Sequence, residues 1–116
     1  MRIGISTSLK HDTPAEWASK MVEAGCRAVV FPVDYKAPDS LIADYVAEAR
    51  KNDLRIAEVG IWKNVFAIDA AEQEEARQRA LAQLRLADEI EADCAVNVAG
   101  TWGGPLWDGG YKENYG

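Results

Sequence analysis

The 116-residue chain is short of basic residues: thirteen Lys and Arg stand against nineteen Asp and Glu, a formal net charge of −6. That deficit removes the electrostatic footprint with which proteins grip nucleic-acid phosphates, and it disfavours docking on an anionic membrane surface. No apolar run approaches the ~20 residues of a membrane span. The opening Met1-Arg2-Ile3-Gly4-Ile5-Ser6 turns polar too soon for a secretory leader and reads as a strand. Cysteine is scarce, with Cys26 and Cys94 far apart in apolar runs. Such a pair is expected to be two buried thiols in a reducing cytoplasm rather than a disulfide. What is present is 48% hydrophobic and 28% charged, the composition of one soluble globular domain over residues 1–116.

Four short β-type runs alternate with three helical patterns. The strands are expected at Arg2–Ser6, Arg27–Val33, Arg55–Gly60 and Asp93–Ala99. Thr13-Pro14-Ala15-Glu16 combines a capping box with Pro at the first helical position, and Gly25 supplies a left-handed stop. Trp17, Met21 and Val22 form that helix's apolar stripe. A second helix starts near Asp39 or Ser40, with Leu41, Ile42, Tyr45, Val46 and Ala49 at one-turn spacing and Asn52 as its C-cap. The third begins at Asp69 and runs to about Ile90, with Ala80, Leu81, Leu84, Ala87 and Ile90 on one side. Its early carboxylates Glu72, Glu74 and Glu75 suit a helix N-terminus. Sequential strands separated by helices imply parallel pairing and an α/β class.

Strand parity distinguishes the α/β architectures. One set (Ile3, Ile5, Val29, Phe31, Ala57, Val59, Val96, Val98) is bulky enough to pack beneath helices. The other (Gly4, Ser6, Val30, Pro32, Ile56, Glu58, Ala95, Asn97) is smaller and more polar toward each strand's C-terminal end. A doubly wound sheet needs two apolar faces, whereas a barrel carries helices outside only and keeps a polar, functional mouth. The pattern favours parallel (β/α) units, four strands and three helices, forming half of a TIM barrel. A whole eight-stranded barrel takes roughly 250 residues. A chain continuing past Gly116 is therefore expected, ahead of pairing of two copies or a different sheet closure.

The sequence resembles the N-terminal half of the sugar phosphate isomerase/epimerase family, the xylose isomerase-like TIM barrels. The matching stretches are Arg2-Ile3-Gly4-Ile5-Ser6, Ile56-Ala57-Glu58-Val59-Gly60-Ile61-Trp62-Lys63-Asn64, and Leu86-Ala87-Asp88-Glu89-Ile90 leading to Cys94-Ala95-Val96-Asn97-Val98-Ala99-Gly100. The resemblance implies divalent-metal-assisted proton transfer on a polyhydroxylated small molecule, by isomerase or epimerase chemistry. It also implies that the metal (Mn, Mg, Co or Zn) belongs to the full barrel, since the family's two Glu, one Asp and one His ligands come from the last four strands. No metal and no catalytic residue are expected within these 116 residues, and the chain alone is expected to be inactive. The superfamily's DNA-repair branch takes histidine ligands from its early strands. This chain has one histidine, His11, so that reading falls.

The substrate-binding candidates are Glu58, Trp62, Asn97, Trp102 and Trp107. Glu58, a carboxylate in an apolar strand, is costly to bury unless it accepts a substrate hydroxyl or pairs with Arg2, Arg27 or Arg55. Asn97 can donate and accept, as a sugar hydroxyl requires, or can satisfy the barrel interior. Trp62, Trp102 and Trp107 fall in loops after the third and fourth expected strands, where indole faces stack on sugar C–H surfaces or rigidify the loops. Ser6 reads as a loop-start hydroxyl, and His11 beside Asp12 as a solvated loop residue. Gly100-Thr101-Trp102-Gly103-Gly104 lacks the spacing of either nucleotide fingerprint and reads as a flexible loop. The partner implied is a small carbohydrate, with no nucleic acid and no membrane. The competing reading is a non-enzymatic half-barrel that self-associates through its uncovered face.

Overall fold

A computed structural model describes residues 1–98, 100 and 101. The elements, in chain order, are α1 (Pro14–Glu23), β1 (Ala28–Val30), α2 (Asp39–Lys51), β2 (Arg55–Gly60), α3 (Ala70–Glu89) and β3 (Cys94–Val96). The three strands form one open parallel sheet in the order β1-β2-β3. The class is therefore α/β, with three helices. Among the described residues no helix is long and apolar enough to cross a membrane.

Local signals set the helix ends. The Thr13 hydroxyl accepts from the Glu16 amide at 3.2 Å and Pro14 opens α1, while Glu16 reaches back to the Asp12 amide at 2.7 Å. Gly25 stops the helix at φ 82°, where a Cβ would be strained. α2 runs from Asp39 to Lys51 and is capped by Asn52, whose side-chain amide donates to the Glu48 carbonyl at 2.9 Å. Asp69 caps α3 by accepting from the Ala71 and Glu72 amides at 3.0 and 2.9 Å.

The expected first strand is corrected. Residues 2–6 run beside β1 but form no ladder: the Ile3 carbonyl accepts from both the Arg27 and Ala28 amides, at 2.7 and 3.2 Å, and the segment makes no other backbone bond among the described residues. One shared carbonyl does not propagate a register. Gly4 passes so close to the Ala28 carbonyl that a side chain there would collide with it. The described sheet thus has three strands rather than four, and it is open rather than curled into a demonstrated half-barrel.

Face assignment by parity also needed correction. Val29 pairs with Ile56 but Val30 pairs with Glu58, so Ala57 is an extra residue in a β-bulge. The bulge lets Ile56 and Val59, three apart, both face the helices and both be buried. On β3, Ala95 pairs with Val59 and packs against the core, while Cys94 and Val96 lie beside Glu58 and Gly60 on the opposite face. Cys94 is exposed, so only Cys26 is a buried thiol; both are free.

The core lies between one sheet face and the helices. Trp17 and Met21 of α1, Tyr45 and Ala49 of α2, and Leu86 and Ala87 of α3 close over Val29, Phe31, Ile56 and Val59. Trp17, Phe31 and His11 meet the Tyr45 ring edge-on, with centroids 5.4, 6.1 and 5.8 Å away. Among the described residues no helix packs on the other sheet face. The inner stripe of α3 also differs from expectation: Leu81 and Leu84 point outward, 41% and 51% exposed, and the buried positions are Ala76, Gln83, Leu86 and Ala87. Gln83, 2% exposed, donates to the Gly60 carbonyl at 2.7 Å and accepts from the Tyr35 amide at 2.9 Å. A polar residue in the middle of the stripe thus satisfies two backbone groups at the strand ends.

Gln83→Ala removes both partners, so the unfolding free energy is expected to fall by about 2–4 kcal/mol in urea denaturation. Leu84→Ala at the exposed position is expected to change it by less than about 0.5 kcal/mol.

Candidate functional site at the carboxyl ends of the strands

In parallel sheets the crevice beyond the strands' carboxyl ends is where chain loops and ligands meet. Here that region is held from the helix side by α3. Arg79 donates through Nε to the Ile61 carbonyl at 2.8 Å and through Nη1 to the Asp34 carboxylate at 2.8 Å, next to the Gln83 bridge. The guanidinium also lies 5.8 Å from the Tyr35 ring centroid, and the Lys36 ammonium lies 5.7 Å from it. The Arg79 guanidinium, chiefly by its hydrogen bond, holds the Asp34 carboxyl below its ordinary range, and the Lys36 amide adds to this.

Two asparagines knit the loops after β2 and β3. The Asn97 side chain accepts from the Lys63 amide and donates to the Lys63 carbonyl, both at 3.0 Å. Asn64 does the same in the other direction, accepting from the Thr101 amide at 3.1 Å and donating to the Thr101 carbonyl at 2.7 Å. Each amide stands in for a backbone peptide and extends the β2–β3 pairing past its last ladder bond. Gly100, at φ 91°, lies against the Asn64 side chain, where a Cβ would overlap the Asn64 oxygen.

Above this scaffold a cleft of about 570 Å³ opens at the ends of β1 and β2. Val30, Pro32, Gly60 and Trp62 line its floor, and Asp34, Lys36 and Arg79 line its polar side. Trp62 is 40% exposed and sits at φ 52°, a left-handed conformation costing a bulky residue roughly 1–3 kcal/mol unless its surroundings impose it. Its indole lies directly on Gly60, in the space that a Cβ at position 60 would occupy. Gly60 is thus the residue that leaves room for the Trp62 indole against the strand end.

Glu58 lies one step down the same face from Gly60 and is half-buried. None of its expected arginine partners reaches it. Arg2 bonds Asp53 at 2.8 Å, Arg55 pairs with Asp93, and Arg27 donates to the Cys26 carbonyl at 2.7 Å. Among the described residues Glu58 makes no ion pair and no side-chain hydrogen bond. Its lateral neighbours are Val30 and Cys94.

The structure therefore places Glu58 on the same strand face as Gly60 and Trp62, which line the cleft while Glu58 lies outside its lining, and gives Asn97 to the loop backbone. Trp102 and Trp107 lie outside the described residues. His11 departs from a solvated loop residue: it is half-buried, with Nδ1 2.6 Å from the Leu9 carbonyl and Nε2 2.8 Å from the Tyr45 hydroxyl, and burial pushes that phenol upward. The Arg79–Asp34 clamp and the Gln83 bridge were not anticipated. Polar residues three and four apart on a helix otherwise patterned as amphipathic would have been the signal. Among the described residues no three His, Cys, Asp or Glu side chains gather to hold a metal ion.

No family model, no curated protein and no solved structure matches the chain.

Asp34 supplies a pH-dependent test. Because its carboxyl titrates lower in the folded state, its contribution is fully present above the ordinary Asp value near 3.8 and is lost as pH falls through the lowered folded value. Asp34→Asn is expected to be less stable than the parent at pH 6, with the difference shrinking in urea midpoints taken progressively below about pH 4.

Proposed function

We propose that the chain is the N-terminal portion of a sugar phosphate isomerase/epimerase-like barrel, its helix-free sheet face forming part of the substrate-facing wall. The observation that carries this reading is the half-buried Glu58 carboxylate, without an ion pair or side-chain hydrogen bond among the described residues, on the same strand face as Gly60, whose open side the Trp62 indole occupies. A carboxylate that makes no ion pair or side-chain hydrogen bond among the described residues is open to accept from a hydroxyl donor. An indole beside it suits the C–H face of the same polyol. Chain-order strands with helices packed on one face are also what a barrel segment requires.

In this reading Glu58 accepts a hydroxyl, Trp62 stacks on the ring and Asn97 acts indirectly, by fixing the Lys63 backbone next to Trp62. Trp102 and Trp107 would extend the wall. The described residues do not fit a metal site, so the divalent ion of the resemblance is assigned to the remainder of a full barrel. The ligand class is a small carbohydrate, free or phosphorylated, and the compartment is the cytoplasm, in keeping with two free thiols. The helix-free face with exposed Ile3 and Ile5 beside it supports a second reading, a non-enzymatic module that pairs through this face.

The test is titration of the chain with a panel of aldoses, ketoses and their monophosphates, read by tryptophan fluorescence. Saturable binding is expected with a Kd of about 1–10 mM, weakened at least roughly fivefold in Glu58→Gln and Trp62→Ala. Turnover with Mn²⁺ is expected to be absent. Folded protein that binds none of the panel, or a chain that isomerises sugars alone, would overturn the proposal.

A further inference from the structure

On the outer surface, away from the sheet, α2 and the end of α3 border a groove of about 390 Å³. Its α2 wall carries Asp39, Ala43, Val46 and Arg50, with Ile42 and Ala47 flanking, and Glu89 and Ile90 close the far wall. The first four are spaced four, three and four apart, the seam of a helix built to pack against another helix. The small Ala43 and Ala47 side chains permit a close approach.

The seam is complementary to itself when reversed. The pairs Asp39–Arg50 and Ala43–Val46 share one midpoint, between Asp44 and Tyr45. A second α2 laid antiparallel across that midpoint therefore sets each Asp39 against the partner copy's seam-end arginine, and each alanine against a valine. That is the isologous pattern a two-fold axis demands. Asp39 is exposed and has no ion pair among the described residues, while Arg50 uses one terminal nitrogen on Glu91 at 2.9 Å in a solvent-exposed pair worth little. Both ends are thus available for exchange across the axis.

We infer that α2 is a homodimer surface, its occupant a second copy of this chain packed antiparallel about the Asp44–Tyr45 midpoint. The inference is independent of the sugar reading, since the groove lies on the helix side of the sheet. One helix pair of this length buries less than the roughly 1,200 Å² of a standard interface, so the association is weak and concentration-dependent.

Sedimentation equilibrium on the chain from about 10 µM to 1 mM tests it. The weight-average mass is expected to rise from 12.7 kDa toward twice that value. Asp39→Arg and Arg50→Asp should each raise the dissociation constant about tenfold or more, since each sets like charges face to face at both ends. The double swap should return it to within about threefold of the parent. Ala47→Glu, at an exposed position, should also abolish the dimer and serves if a charge variant fails to fold. A monomer at every concentration overturns the inference. So does a dimer indifferent to Asp39→Arg and Ala47→Glu, or a double swap that stays monomeric.

Discussion

Strands that follow one another in chain order within a parallel sheet receive their crossover helices on one side, because each crossover has the same hand. In this chain that constraint places the crossovers α2 and α3 over Val29, Phe31, Ile56 and Val59, with α1 packed beside α2 in the same layer, and the rest of the structure answers to it. The helix side becomes a single core centred on Trp17 and Tyr45. The other side keeps a carboxylate, a thiol and an indole that a second helix layer would have excluded. The bulge at Ala57 belongs to the same logic. It turns Ile56 inward and leaves Glu58 outward within one short strand.

The helix layer also prepares the strand ends. Gln83 and Arg79 are the polar members of an otherwise buried stripe, and both reach carbonyls at the end of β2. A buried amide with two backbone partners is stabilising only in one geometry, so it fixes where the loops after β1 and β2 begin. Asn97 and Asn64 then bind the loop after β2 to the loop after β3. The result is a rim rigid enough to hold Trp62 in a left-handed conformation over Gly60. In the proposed reading, that rim places a few polar groups beside an aromatic surface for a polyol to meet.

Much of this was legible in the residues. Thr13, Pro14, Gly25, Asn52 and Asp69 mark helix ends by local chemistry that needs no tertiary context, and they sit where that chemistry places them. The α/β class and the parallel pairing followed from the alternation of strand and helix patterns. Strand faces were harder. Parity counting fails across a bulge, and Cys94-Ala95-Val96 is too short and too evenly apolar to declare a side. Leu81 and Leu84 misled for a related reason: the core position on α3 belonged to Gln83, because unsatisfied carbonyls at the end of β2 outranked apolar burial there. Ile3 and Ile5 have the alternation of a strand, but a ladder requires repeated bonds along the segment, and only the single Ile3 carbonyl takes part in any among the described residues. Glu58 and Trp62 were identifiable as residue types out of keeping with their strand. That no arginine pairs with Glu58 was visible only once Arg2, Arg27 and Arg55 had been placed.

The account rests on the openness of the sheet face that carries Glu58, and Cys94 is its built-in reporter, the lateral neighbour of that carboxylate. The most direct measurement is the rate at which the native chain's thiols react with an aromatic disulfide reagent, assigned by Cys94→Ser. One thiol per chain, Cys94, is predicted to react promptly under native conditions, with Cys26 reacting only on unfolding. Protection of Cys94 in the folded chain would mean that this face is covered, and it would contradict the account.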